Sequence, residues 1–281
     1  MEVAIATGIS PGNTSPSVDL AAQLVTVQQA ETQATADEAA AAAGSARLAQ
    51  DIIDRNNAYN LIFATRTVYD PSGTRDAQLT AAINASVAHN NARIAKDNAD
   101  GEVTSAQRQY NDLQTTLASA ETACAAANLP SEQYKCDSRD SIRNDRDAAL
   151  VVLTTKQAAA AAANTQLTNA TNTYNTALTA LRNAYNAQVP MPPGVAGQAI
   201  VDRVVTYHDE YFQWQNSNAS NTSLQATATQ SRAAAVTARA AYNDLVTQVN
   251  NGGTLPGGSQ VVSWAGAEAI LEQSDGNGEV E

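Results

Sequence analysis

Apolar residues recur along this chain with the alternating three- and four-residue spacing of a helix-packing seam, and they do so in four separate stretches. The second stretch reads Val103, Ala106, Tyr110, Leu113, Leu117, Ala120, Cys124, and the third reads Leu167, Ala170, Tyr174, Ala177, Leu181, Ala184. The fourth gives Ile200, Val204, Tyr207, Tyr211, Trp214 and, after a polar gap, Ala235, Ala238, Tyr242, Leu245, Val249. The first is patchier: Leu20, Leu24, Val27, Ala34, Ala41, Leu48, Ile52, Tyr59, Ile62. A tyrosine at such a position fills the core with its ring and sends its hydroxyl to the edge.

Proline bounds these stretches. All eight prolines (Pro11, Pro16, Pro71, Pro130, Pro190, Pro192, Pro193, Pro256) fall outside residues 17–68, 74–128, 131–188 and 196–250. Proline inside a helix removes a hydrogen bond and clashes with the preceding turn, so the exclusion predicts four uninterrupted helices. The separators carry turn chemistry, as in Asp70-Pro71-Ser72-Gly73, and short connections make neighbouring helices antiparallel. At 1.5 Å rise per residue, such helices are ~80 Å long. The expected fold is all-α: an elongated antiparallel four-helix bundle over residues 17–250. A short N-terminal extension (1–16) and a Gly-rich linker with an acidic tail (251–281) flank it as non-helical ends.

The helix centres are unusual. Ala39 to Ala43 followed by Gly44, Gly101, Ala158 to Ala163, and the polar run 216–223 predict a thin waist or a bend, the alternative being that Gly101 and the polar run break two helices. Two short repeats, Asn57-Ala58-Tyr59-Asn60 with Asn183-Ala184-Tyr185-Asn186 and Tyr110-Asn111-Asp112-Leu113 with Tyr242-Asn243-Asp244-Leu245, pair the first helix with the third and the second with the fourth. A duplicated hairpin or biased composition accounts for them equally.

Composition sharpens the picture. Alanine accounts for 58 residues, against two Phe, two Trp and two Met. Alanine favours helix but buries little area, which suits thin layers of closely spaced helices. Twenty-eight acidic and 16 basic residues give a net charge of -12 with no basic cluster, which disfavours nucleic acid and anionic membranes as partners. Residues Met1 to Thr7 lack the pattern of a secretory signal, and no apolar run is long enough to insert in a membrane.

Chemistry is sparse. His89 and His208 stand on different helices without a second ligand at helical spacing, so each is expected to be a solvated or bundle-edge side chain. The glycine-rich run at 252–258 lacks the lysine of a phosphate loop, and Asp137 to Asp147 alternate with Arg139, Arg143 and Arg146 as a solvated face does. No catalytic, cofactor-binding or metal-binding residues are therefore expected. Cys124 and Cys136 sit at similar heights on either side of the Leu129-Pro130 turn, which makes them a disulfide candidate. The ends carry apolar side chains able to dock on a neighbour: Val3, Ile5 and Ile9 before the first helix, and Val261, Val262, Trp264, Ile270 and Leu271 after the last.

These features predict a non-enzymatic structural component of a large assembly. The expected setting is a virion, as a minor capsid, cement or tail-associated protein, with other protein subunits as partners and a location in the particle or outside the cell. The alternatives are a secreted or surface-exposed bacterial stalk or tip protein, and a helical pore-forming toxin.

Overall fold

The computed structural model describes residues 16–127, 130–187 and 194–252. The protein is all-α, with four long helices among the described residues, α1 (Pro16–Tyr69), α2 (Asp76–Ala125), α3 (Gln133–Asn186) and α4 (Val195–Gly252), and a 3-10 turn at Pro130–Glu132 before α3. Among the described residues there is no strand. Pro16 opens α1 at the first helical position, where its missing N–H has no partner to lose. Helices α2 and α4 run unbroken through Gly101 and through the polar run 216–223, so neither interrupts its helix.

The turn between α1 and α2 is organised by one carboxylate. Asp70 is buried and accepts hydrogen bonds from the Thr74 and Arg75 backbone N–H groups at 3.2 and 2.8 Å and from the Thr74 and Ser72 hydroxyls at 3.0 and 3.2 Å. Its ion pair with Arg75 spans 2.8 Å. Burial alone raises the Asp70 pKa, but these bonds more than offset it and hold the carboxyl below its ordinary range. Gly73 completes the turn at φ +72°, a conformation that other residues adopt at a cost. The Arg75 guanidinium then reaches the Ala184 carbonyl near the end of α3 at 2.8 Å and lies over the Tyr185 ring.

The helices fall into two compact units, one made of residues 51–216 and the other of the described parts of 1–50 and 217–281. In the first, all four helices contribute to one core. Ile62 from α1, Leu79 and Ala82 from α2, Leu181 and Tyr185 from α3, and Ile200 and Val204 from α4 are buried together. Each large side chain among them contributes ~1.5–3 kcal/mol by leaving water. Gly197 admits the start of α4 to this core, since a Cβ there would lie 2.4 Å from the Arg182 carbonyl oxygen. The same unit continues as an antiparallel α2·α3 hairpin with Ala106, Leu117, Ala149, Leu153 and Ala163 along its seam. Lys156 pairs with Glu102 across it at 2.8 Å, and Arg143 with Glu121 at 3.3 Å.

The second unit is an antiparallel pair, α1 against α4. Leu20, Val27, Tyr242 and Val246 form an apolar cluster, with Leu24, Ala238 and Leu245 packed against it. Beyond that the seam is small: Ala34, Ala41, Ala228 and Ala235 are buried, and at Gly44 an added Cβ would come within 2.7 Å of Leu224 Cδ1. Polar bonds supplement the seam. Arg232 reaches Glu31 at 2.8 Å and Glu38 at 2.7 Å, Ser231 bonds Asp37, Arg239 pairs with Glu31, and Gln225 bonds Ser45.

Most of the expected seam is buried or half-buried. Two α1 positions differ: Ile52 and Tyr59 are 36% and 40% exposed, while Asp51 and Ala58 face inward instead. The inward row keeps its three- and four-residue spacing only through Asp51, where hydropathy favours the neighbouring isoleucine. The paired repeats are not equivalent in structure, since Tyr59 is exposed and Tyr185 fully buried.

Candidate functional site

The four-helix core of residues 51–216 contains a polar layer. His89 lies 13 residues beyond Asp76 at the start of α2, and His208 lies 13 beyond Val195 at the start of α4. These two helices are parallel, because each is antiparallel to a helix that ends where it begins, and equal depth brings the two rings together. His89 Nδ1 and His208 Nε2 are 2.9 Å apart, and His208 Nδ1 is 2.9 Å from an Asp209 carboxylate oxygen. The expectation of a solvated or bundle-edge side chain is corrected for His208, which is only 6% exposed, whereas His89 is half-buried and in direct contact with it.

Hydrogen-bond chemistry fixes the arrangement of protons in the neutral pair. The Asp209 carboxylate can only accept, so His208 Nδ1 donates to it and His208 Nε2 presents a lone pair. His89 Nδ1–H then donates to that lone pair. Burial, followed by the repulsion that a second proton on the pair would meet from His208 and by the charge of Arg93, pushes the His89 pKa below its usual value, which favours the neutral ring this chain needs. Arg93 itself lies over the Phe212 ring, 3.6 Å from its centre.

Tyr174 of α3 closes the layer. Its ring stacks on both imidazoles, with centroids 5.5 Å from His89 and 4.8 Å from His208. Asn90 is buried and donates from Nδ2 to the His208 backbone carbonyl at 2.7 Å. Three buried polar atoms of this region have no hydrogen-bond partner: Tyr174 Oη, Asn90 Oδ1 and, one turn earlier on α2, Ser86 Oγ. Seam tyrosine hydroxyls were expected at the edge, and that of Tyr174 is instead enclosed, as is that of Tyr185 outside the expected seam. Burial first, then the Asp209 charge, pushes the Tyr174 hydroxyl up to about 12. Ser86 bonds neither ring, so the layer holds an Asp–His–His chain without a nucleophile attached to it.

The other predicted positions are placed as follows. Cys124 at the end of α2 and Cys136 at the start of α3 have Cα atoms 4.7 Å apart and sulfurs at disulfide distance, which makes them a staple at the hairpin end. Arg139, Arg143 and Arg146 pair with Asp140, Glu121 and Asp147 on the surface. The docking candidates Val3, Ile5, Ile9, Val261, Val262, Trp264, Ile270 and Leu271 lie outside the described residues. Among the described residues, no group of three or more His, Cys, Asp or Glu side chains is placed to hold a metal, and no helix is long and apolar enough to cross a membrane.

Apolar side chains also remain on the outside of this unit. Leu150, Val151 and Val152 are exposed on α3 while Ala149 and Leu153 of the same turn face α2. Leu61 and Val68 of α1 are exposed along a shallow groove shared with Ala199 of α4, and Val195 is exposed one turn before Ala199. Compared with known protein families, with curated proteins and with solved structures, the chain matches none.

Proposed function

We propose that this protein is a non-enzymatic structural component of a large assembly, in which its helices brace neighbouring protein subunits. The observation that carries the reading is the turn 149–153 of α3, which is apolar all round on a hairpin of only two helices. A helix with apolar residues on every side is ordinarily enclosed, and here α2 covers only the Ala149 and Leu153 face. Exposed Leu61 and Val68, which line one shallow groove with Ala64 and Ala199, support the same reading, because apolar surface of this kind marks interaction sites. The proposed setting is a virus particle, with this chain as a minor capsid, cement or tail-associated protein. A net charge of -12 without a basic cluster favours protein partners over nucleic acid.

Sedimentation of the native protein through a density gradient tests this directly. Migration with intact particles, and its loss on substituting Val151→Glu at a position 67% exposed, is the expected result. Circular dichroism checks that the variant keeps its helices. Recovery of the protein only in the free fraction, or leakage of lipid vesicles at micromolar protein, overturns the reading, the second outcome in favour of a pore-forming toxin.

A further inference from the structure

We propose that the contact between His89 and His208 is an acid-sensitive latch: it holds α2 against α4 while the two rings share at most one added proton, and it parts when both are protonated. This inference is independent of the assembly role. Its first support is the count of protons. The rings face each other through His89 Nδ1 and His208 Nε2 at 2.9 Å, a bond that needs one hydrogen and one lone pair. One added proton preserves that bond whichever ring takes it, because the other ring still offers a lone pair, directly or after moving its own hydrogen to the far nitrogen. With a second, both facing nitrogens carry hydrogen, neither can accept, and two positive rings meet at contact distance.

The second support is the charge around the pair, element by element. On α4, Asp209 bonds His208 Nδ1 at 2.9 Å, and its side chain is 63% exposed, so it compensates one imidazolium rather than two. Glu210 beside it is held above the ordinary carboxyl range, by burial first and then by the charges of Asp54 and Asp51 of α1 and of Asp209. Acid therefore neutralises Glu210 early, withdrawing negative charge where the rings gain positive charge. On α2, Arg93 adds a positive charge that opposes protonation of His89. From α3 comes Tyr174, stacked on both rings, whose hydroxyl titrates at about 12 and is uncharged throughout the acid range.

The third support is that the layer has a way to open. His89 is half-buried whereas His208 is 6% exposed, so His89 is the ring with a path to water. Asn90 joins the same two helices, its Nδ2 donating to the His208 carbonyl at 2.7 Å, so displacement of His89 loads the neighbouring bond as well. Tyr174 Oη, Asn90 Oδ1 and Ser86 Oγ are buried without partners, and water admitted by the opening bonds groups that the closed layer leaves unsatisfied. Burial first, then His208 and Arg93, hold the His89 pKa below its ordinary 6.5. The unfolded chain therefore takes up this proton first, and the His89 contribution to stability, complete above about pH 6.5, is lost as pH falls below it. Glu210 acts in the opposite sense, since the folded chain holds its proton more tightly.

Hydrogen exchange of the full chain without a histidine tag, at about pH 7.5 and about pH 5, tests the latch. After correction for the intrinsic pH dependence of exchange, amides around His89 and His208 should open at least about tenfold more often at the lower pH, while those around Ala228 and Ala235 of the α1·α4 pair keep their rate. His89→Asn keeps a donor for His208 but takes no proton, and should abolish the response while leaving that of Glu210 in place. The same acceleration in the variant, none in the wild-type protein, or an equal acceleration in the α1·α4 pair overturns the proposal. Should the variant fail to fold, nitrogen NMR of the imidazoles in the wild-type protein decides, because the chain has only two histidines. Opening that follows the second proton is the expected result, and opening with the first, or two charged rings in an unchanged layer, overturns it.

Discussion

The unit of residues 51–216 and the α1·α4 pair of residues 16–50 with 217–252 use the same long helices but hold them by different means. In the first, isoleucine, leucine, valine and tyrosine from four helices fill one core. In the second, a cluster of four buried apolar side chains, with Leu24, Ala238 and Leu245 packed against it, is followed by an alanine seam with arginine–glutamate bonds across it. Side-chain size thus decides how much each unit rests on burial and how much on directed polar contacts. Alanine allows two helices to approach closely but contributes little transfer energy.

The largest effect should come from truncating the four-helix core. Leu181→Ala, at a fully buried position, is expected to cost ~2–5 kcal/mol in urea unfolding, against ~1–2 kcal/mol for Val27→Ala in the pair. Equal costs would break the comparison. Replacing Cys124 and Cys136 together by serine should cost up to ~3 kcal/mol, because the loop they close spans 12 residues. Hydrogen exchange should then quicken at the end of the α2·α3 hairpin and stay slow around Leu181.

Alkaline titration gives a third contrast. Burial first, with nearby charge, pushes the Tyr174 and Tyr185 hydroxyls up to about 12, above the ordinary value of 10.0. The unfolded chain therefore loses these protons first, and stability falls as pH rises from about 10 through about 12. Tyr207 shifts in the same direction within this unit, whereas Tyr242 is the one tyrosine so shifted among the described residues of the pair. Tyrosinate absorbance and helical content followed together should show the steeper loss in the four-helix unit. The smallest effect is a gain. Gly101 has open space where a Cβ would sit, so Gly101→Ala should stabilise the helix by ~0.5–1 kcal/mol in thermal unfolding.

Helix number, length and order were legible because proline placement and seam spacing are local signals. The fourth seam shows this well: Ile200, Val204 and Tyr207 were identified from spacing and all are buried. The first seam failed where a polar residue occupies an inward position, since Asp51 is buried and hydropathy points to Ile52. The histidine layer was missed for another reason. Ligand spacing was sought within one helix, while His89 and His208 meet across two parallel helices. Counting residues inward from the two helix starts would have revealed their equal depth. Tyr185 was passed over in the third seam because the spacing led to Ala184, and it is among the largest fully buried side chains.

Ala34 and Ala41 are separated by seven residues, as are Ala228 and Ala235, and all four are buried in the same pair. A row of identical small knobs looks the same after sliding by one heptad, so shape alone leaves the alignment of α1 on α4 degenerate. The arginine–glutamate bonds recur at the heptad spacing, since Arg232 and Arg239 both pair with Glu31, so it is the bonded Ser231 and Asp37, with Ala238 and Gly44 one heptad beyond, that act as an index mark. Removing their bond would leave two helices that still adhere but no longer know where to stop.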